Sequence, residues 1–155
     1  MSTLAERSHL PQVLVIDDNR GDALLVRIAF KAARLPADIT IAGTAEEGMK
    51  ALRREGQYEG IGRPDIIMLD LNLPTMHGLS FLQWVKSEAG FASIPVIVLS
   101  SSAAEKDVSA SYAGHAGGYV TKPYNLEGYE SIVKGLGDYW FREVQLPARE
   151  LGRLN

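Results

Sequence analysis

The sequence has no cysteine among its 155 residues. That absence excludes disulfide bridges, thiol catalysis and zinc sites built on cysteine. The sequence also lacks any apolar stretch near the ~18 residues that a membrane-spanning helix needs. Residues 1–9 lack the apolar core of a signal peptide. We therefore expect a cytoplasmic protein with no membrane partner, in which residues 1–10 form a flexible tail.

The sequence also lacks an excess of positive charge. The formal net charge is −3, and no basic surface of the kind that binds nucleic acid is indicated, so we expect no nucleic-acid partner. The three histidines, His9, His77 and His115, show neither metal-ligand spacing nor a serine partner, which favours surface or loop roles. The length favours one domain, and we assign it to residues 11–143, followed by a C-terminal extension at 144–155.

What the sequence does contain is a set of short apolar runs, each ending in polar residues. They are rich in valine and isoleucine and separated by helix-length segments, at residues 13–18, 66–70, 96–100 and 119–123. Such runs are typical of buried parallel strands. Strand and helix alternate five times along the chain, which predicts an α/β fold, a three-layer doubly wound (βα)5 arrangement.

Helix starts are indicated by residues that can cap a first turn. Asn19 and Asn125 are candidate N-caps, while Thr44 and Ser102 are each followed three residues later by glutamate, the capping-box pattern. Within the first helix, helical spacing predicts one buried face, made of Leu25, Ile28, Ala29 and Ala32.

The polar residues that end the strands predict one shared site. In an open α/β sheet, ligands bind at the carboxyl ends of the strands, so Asp17, Asp18, Asp70, Ser100 and Lys122 should converge. Crowded carboxylates repel one another, and a divalent cation removes that penalty. A strand-end aspartate alone often only caps the next helix, and a lysine before proline is usually at the surface. The combination favours Mg²⁺ beside a carboxylate that accepts a phosphoryl group.

These residues, with the segments Asp17-Asp18-Asn19 and Tyr119-x-x-Lys122-Pro123, resemble the signature of response-regulator receiver domains. The resemblance implies a CheY-like, flavodoxin-like sheet of order 2-1-3-4-5 and phosphorylation of Asp70 by a sensor histidine kinase. It also implies that Asp18 and Asp70 bind Mg²⁺ directly with the backbone carbonyl of Asn72, and that Asp17 acts through water.

The resemblance assigns roles to three further residues. Lys122 is expected to reach Asp70 and then the phosphoryl group. In the family, the peptide bond that corresponds to Lys122–Pro123 is cis. Sequence alone does not show whether it is cis here, because only a few per cent of X–Pro bonds are cis. Ser100 and Tyr119 are expected to form the switch: the serine hydroxyl moves toward the phosphoryl oxygens and the tyrosine fills the vacated space. The family pattern differs at His77, usually Asp or Asn, and at His115, usually glycine.

A finer resemblance is to small stand-alone regulators paired with bacterial and cyanobacterial phytochrome kinases. It rests on residues 18–22, the long 53–64 connection, residues 100–105 and the segment 137–147. Three consecutive aromatics, Tyr139, Trp140 and Phe141, cannot all face one core. At least one of them should be exposed in a monomer. The resemblance to these regulators implies a homodimer through the face formed by the fourth helix, fifth strand and fifth helix, and we expect residues 139–146 to extend it.

Two other classes fit the sequence less well than this signalling switch, which we expect not to be an enzyme. A Mg²⁺-dependent aspartyl phosphatase or phosphotransferase of the haloacid-dehalogenase type has its nucleophile after the first strand, a second acid two residues on, and a cap. Here the first strand ends in adjacent acids, Asp17-Asp18, and no insertion is long enough for a cap. A flavodoxin-like FMN binder is disfavoured because those same acids would repel the cofactor's phosphate.

Overall fold

The structure, a computed structural model, describes residues 10–138. Five strands alternate with five helices: β1 Gln12–Ile16, α1 Arg20–Ala32, β2 Asp38–Ala42, α2 Ala45–Arg53, β3 Ile66–Leu69, α3 Gly78–Ser87, β4 Val96–Ser100, α4 Glu105–Ala113, β5 Gly118–Thr121 and α5 Leu126–Leu136. The strands form one parallel sheet of order β2-β1-β3-β4-β5. The predicted fold and strand order are confirmed.

Both faces of the central strands are buried, which explains why their sequences read as continuous apolar runs. Alternate residues of β1, β3 and β4 enter two separate cores. One contains Leu14, Ile16, Ile67, Leu69, Val96 and Val98, and the other contains Val13, Val15, Ile66, Met68, Ile97 and Leu99. Helices α2 and α3 cover the first core, while α1 and α5 cover the second and pack against each other.

Three of the four predicted helix starts are confirmed. The side chains of Asn19, Thr44 and Asn125 accept hydrogen bonds from the backbone N–H three residues on, and each opens a helix. The fourth prediction is wrong, because α4 begins at Glu105 after Ala104, which provides no side-chain cap. The Ser102 hydroxyl donates to the Asp107 carboxylate, with 2.6 Å between the oxygens, so it does not cap at the predicted place.

The predicted buried face of α1 is mostly wrong. Ala29 is buried, but Ile28 is 47% exposed, Ala32 is exposed and Leu25 is only partly buried. The residues that enter the core instead include Ala23, Val26 and Phe30. Both sets have helical spacing, and the packing of α1 against β1 and α5 selects between them.

No helix within residues 10–138 combines the length and apolarity needed to cross a membrane.

Several predicted segments lie outside the described residues. They are the aromatic residues 139–141, the dimer segment 139–146, the extension 144–155 and, apart from Leu10, the tail 1–10. Ahead of β3, within the long 53–64 connection, Gly56–Tyr58 form a turn of 3-10 helix that buries Tyr58.

Candidate functional site

Three strands end in the same local turn at the carboxyl edge of the sheet. Asp17, Asp70 and Ser100 each use a side-chain oxygen to accept a hydrogen bond from the backbone N–H two residues further on, at N···O distances of 2.9, 3.1 and 3.2 Å. Short polar side chains favour such turns. In both aspartates this bond occupies Oδ1 and leaves Oδ2 free to face the centre of the site.

Lys122 brings the carboxylates together. Its Nζ lies 3.0 Å from Asp17 Oδ2, 3.1 Å from Asp70 Oδ2 and 2.8 Å from Asp22 Oδ2, while its side chain is only 10% exposed. An ammonium group has three N–H donors, so these three carboxylates can use all of them. The described residues contain no cis peptide bond, so the bond before Pro123 is trans, unlike the family expectation.

The backbone of the site is held by the sheet itself. The N–H of Asp17 donates to Ala42 O at 3.0 Å, that of Asp70 to Ile16 O at 2.9 Å, and that of Lys122 donates to the carbonyl of the β4 residue Ser100 at 2.8 Å. The hydrogen-bond ladder thus continues one residue beyond the strands and fixes the main chain from which these side chains project.

Burial and charge shift the protonation equilibria of the site. Burial raises the pKa of Asp17 from 3.8 to about 6, against the lowering effects of the Asn19 N–H and of Lys122, and the charge of Asp70 adds to the rise. Burial alone would lower the pKa of Lys122. Hydrogen bonds and charges from Asp22, Asp17 and Asp70 outweigh burial, so that pKa lies above its usual 10.5 and the ammonium form persists.

The carboxylates fit a divalent cation. Asp17, Asp18 and Asp70 each offer an oxygen, and these oxygens lie within 4.8 Å of one another. Asp17 and Asp70 are buried while Asp18 is exposed, so the group opens to solvent on one side. An all-oxygen, anionic donor set is what hard cations such as Mg²⁺ and Mn²⁺ prefer. The residues present therefore suit a divalent metal.

The loop from β3 to α3 lies tightly against the site. A Cβ added to Gly78 would lie 2.4 Å from Asp70 O and 2.6 Å from Leu71 Cα, so only glycine fits there. Thr75 has a φ of 64°, and its hydroxyl donates to the Glu46 carboxylate on α2. His77 caps α3, since its Nδ1 accepts from the Leu79 N–H.

Ser100 and Tyr119 do not bond to each other. Ser100 is fully buried, and its hydroxyl accepts from the N–H of Ser102 at 3.2 Å. The Tyr119 hydroxyl donates to the carbonyl oxygen of that same residue at 2.6 Å. The two residues expected to form a switch are therefore joined through one backbone unit of the β4–α4 loop.

The structure brings together most of the predicted site residues and adds one. Asp17, Asp18, Asp70 and Lys122 converge, and the Asn72 backbone is bonded to Asp70. Asp22 lies in the first turn of α1, where an acid is favourable for the helix dipole. Nothing in the sequence around Asp22 indicates that its carboxylate reaches Lys122, which lies 100 residues further along the chain.

The histidines form no metal cluster in the described part of the chain. His115, which replaces a glycine of the family, has a φ of 72°, the left-handed conformation that glycine adopts at least cost. The departure from the family pattern therefore changes the side chain and retains a backbone conformation suited to glycine.

Comparison with known proteins identifies the family. A family model described as "Response regulator receiver domain" matches residues 13–134. The response regulator Rcp1 of Synechocystis sp. is 36% identical over 146 residues, which cover 94% of this chain and 99% of that protein.

Several solved structures of response regulators are also similar to this chain. The phosphorylated cyanobacterial phytochrome response regulator RcpA matches with a TM-score of 0.82 at 36% identity, covering 90% of this chain and 100% of that one. The Mn²⁺-bound form of Rcp1 matches with a TM-score of 0.79, covering 89% and 99%. The bacteriophytochrome response regulator RtBRR matches with a TM-score of 0.71 at 31% identity, covering 93% and 88%.

Proposed function

The chain belongs to the response regulator receiver family, and from that premise we propose that it is a signalling switch phosphorylated on Asp70. Asp70 ends the middle strand β3, its Oδ2 lies 3.1 Å from Lys122 Nζ, and its carboxylate belongs to the group suited to a metal. It is thus next to both positive charges that phosphoryl transfer requires. Asp17 has the same two neighbours, and the match to the receiver family supports Asp70 as the acceptor between them.

The reaction follows from this placement. A carboxylate oxygen of Asp70 attacks the phosphorus of a phosphohistidine on the kinase, the new O–P bond forms, and the P–N bond breaks. The electron pair of that bond stays on the imidazole nitrogen, which takes up a proton. The Lys122 ammonium then donates to a phosphoryl oxygen as a point charge. A bound divalent cation offsets negative charge on the transferring oxygens.

The decisive test of the acceptor is Asp70→Asn. We expect the variant to take no base-labile label from a phosphorylated histidine kinase, while wild type is labelled. Asp107→Asn on α4 is the matched control and should be labelled as wild type. Persistent label on Asp17 or Asp18 at the wild-type rate would show that Asp70 is not the acceptor.

For the metal we propose Mg²⁺, bound by the carboxylates of Asp18 and Asp70 and the carbonyl oxygen of Asn72, with Asp17 acting through water. The support is the all-oxygen donor set and the Mn²⁺-bound form of the relative Rcp1. Calorimetric titration should show much weaker binding by Asp18→Ala. Asp38→Ala, a change at the other edge of the sheet, should leave the affinity unchanged. Equal affinity in Asp18→Ala contradicts this coordination.

The partner that we propose is a sensor histidine kinase of the phytochrome type. Two relatives support it: RcpA is a cyanobacterial phytochrome response regulator and RtBRR is a bacteriophytochrome response regulator. The test compares phosphotransfer to this protein from every histidine kinase of the source genome. A phytochrome kinase should label it fastest. Faster transfer from another class of kinase would overturn this assignment.

We also propose that the chain is not an enzyme, although a receiver shares an aspartyl acceptor with some phosphatases. The longest connection between the described helices and strands comprises residues 54–65, which are too few for a domain-sized cap over the site. Incubation with small phosphate monoesters should release no phosphate in repeated turnovers. Sustained turnover that is lost in Asp70→Asn would favour the phosphatase alternative.

The assembly that we propose is a homodimer through α4, β5 and α5, within a receiver spanning 11–143 and extended by 144–155. Two aromatic side chains at or beside this face support it: Tyr112 is 50% exposed and Tyr124 is fully exposed. Sedimentation should give a dimer that truncation after Gly137 converts to a folded monomer. A wild-type monomer at micromolar concentration, with and without a phosphoryl mimic, contradicts the dimer.

We propose that this protein acts in the cytoplasm and binds no nucleic acid, in keeping with its net charge of −3. Duplex DNA at low salt, the condition that most favours nonspecific binding, provides the test. No shift in DNA mobility is expected at micromolar protein.

A further inference from the structure

Asp22 is the acid of the site with no place in the metal group. Asp17 and Asp70 contact Lys122 and also belong to the carboxylates suited to a cation, whereas Asp22 contacts Lys122 alone. Its Oδ2 is the nearest of the three carboxylate oxygens to Nζ, at 2.8 Å. Its side chain is 28% exposed, so water only partly screens its charge.

A phosphoryl group on Asp70 would need an N–H of Lys122. Its Nζ already donates to Asp22 and Asp70 and lies 3.0 Å from Asp17 Oδ2. A metal ion held by the carboxylates would compensate Asp17 and Asp70, whereas Asp22 would keep Lys122 as its counterion. The carboxylate of Asp22 is therefore the competitor that stays on the lysine when the phosphoryl group arrives.

We propose that Asp22 is a positioning residue that acts through Lys122, and that its carboxylate strengthens binding of the divalent cation while weakening binding of the phosphoryl anion. The inference rests on the proposed function of Asp70. Asp22 shares the ammonium with Asp17 and Asp70, so each of their oxygens is less fully compensated by it and is more available to a cation. The negative charge of Asp22 repels a phosphoryl anion on Asp70, and its hydrogen bond occupies one N–H of Lys122 that the anion would otherwise use.

A buried group on α5 shows how far the charge of Asp22 extends. Tyr129 is 1% exposed, and its hydroxyl has no hydrogen-bond partner among the described residues. Burial raises the pKa of Tyr129 to about 12, and the charge of Asp22 adds more to that rise than the charge of Asp17 or Asp70. Asp22 thus acts electrostatically on the protein interior as well as on the solvent side.

The experiment compares Asp22→Asn with wild type in two separate titrations. The first uses Mg²⁺ alone, followed by calorimetry. The second uses beryllofluoride, a mimic of the phosphoryl group, at saturating Mg²⁺. We expect the variant to bind Mg²⁺ more weakly and beryllofluoride more tightly, each on the order of three- to tenfold. Asp22→Ser, which also keeps a polar residue in the first turn, should likewise bind Mg²⁺ more weakly and beryllofluoride more tightly than wild type.

Asp38→Asn is the matched control, because it removes the same charge at the other edge of the sheet, where Asp38 bonds to Gln12. Neither affinity should change in that variant. If Asp22 serves only α1, Asp22→Asn lowers stability and leaves both affinities unchanged or weakens both, and that result overturns the inference.

The two titrations also separate this inference from the function on which it rests. If wild type binds Mg²⁺ but neither beryllofluoride nor a phosphoryl group, the proposed function has failed. The Mg²⁺ titration alone then decides the effect of Asp22 on Lys122: weaker binding by Asp22→Asn supports it, and equal binding refutes it.

Discussion

The hydroxyl groups of Ser100 and Tyr119 are bonded to opposite ends of one residue. Ser100 Oγ accepts from the Ser102 N–H, and Tyr119 Oη donates to the Ser102 carbonyl oxygen. A movement of either side chain therefore alters a backbone unit that the other side chain also holds. This gives the proposed switch a physical connection from β4 to β5 through the loop before α4.

The first prediction is that these two hydroxyls are energetically coupled. Ser100→Ala and Tyr119→Phe should each lower the free energy of unfolding by about 1 kcal/mol. Their double variant should lose less than the two losses combined, since the second hydrogen bond is weakened once the first is gone. Denaturant unfolding of the four proteins measures the coupling. Strict additivity would contradict it.

A second prediction concerns Lys122, the common counterion of three carboxylates. In metal-free buffer Lys122→Met should lose about 3 kcal/mol of unfolding free energy, because buried acids are left without a partner. Excess Mg²⁺ should then stabilise this variant more than it stabilises wild type. Thermal melts with chelator and with Mg²⁺ measure both effects.

Lys86→Met is the control for that experiment. Lys86 is also partly buried, but its Nζ donates to the carbonyl oxygens of Ala92 and Ile94 and contacts no carboxylate of the site. Its loss of stability should be the same with and without Mg²⁺. A Lys122→Met variant that behaves in the same way would rule out the counterion role.

The third prediction is a pH dependence with a defined sign. Because burial raises the pKa of Asp17 from 3.8 to about 6, the folded metal-free protein holds a proton there that the unfolded chain releases. Protonated Asp17 therefore contributes full stability below pH 3.8, and this contribution is lost as the pH rises through about 6. The loss amounts to about 3 kcal/mol.

The measurement is the stability of wild type relative to Asp17→Asn in metal-free buffer. The free energy of unfolding of wild type should fall relative to that of Asp17→Asn between pH 4 and pH 7, because asparagine does not titrate. A difference that is constant over this range would show that Asp17 is not held with a raised pKa.

The fourth prediction concerns the glycine that lies against the acceptor strand. Gly78→Ala should destabilise the protein by about 1–3 kcal/mol, because its Cβ would overlap the backbone of Asp70 and Leu71. It should also weaken Mg²⁺ binding, because the loop that carries Asn72 must move. Gly90→Ala is the control, with no atom within 4 Å of its added Cβ, and it should change neither property.

Features set by local sequence were predicted well. The buried strands were identified because Val- and Ile-rich runs are recognisable within a few residues, and the N-caps Asn19, Thr44 and Asn125 act within one turn. The order of the sheet came from the family resemblance. The convergence of Asp17, Asp70 and Lys122 followed from one rule, that the carboxyl ends of parallel strands share an edge.

Features set by packing were not predictable in the same way. Ile28 and Phe30 are both apolar residues of α1, but only contact with the sheet and α5 determines that Phe30 is buried and Ile28 exposed. Ser102 has the capping-box pattern, yet its hydroxyl binds the Asp107 side chain. Asp22 lies in the first turn of α1, where an acid needs no further explanation, and no local pattern indicates its contact with Lys122.

The hydrogen-bond ladder that extends into the site has a consequence for its dynamics. The amides of Asp17, Asp70 and Lys122 donate to neighbouring strands, so hydrogen–deuterium exchange at these positions requires the sheet to open. These amides should exchange as slowly as those of the central strands, in either signalling state. The slowest-exchanging main chain of the molecule and its most reactive side chains would then belong to the same residues, so signalling would be carried by rotamers and loops over a fixed frame.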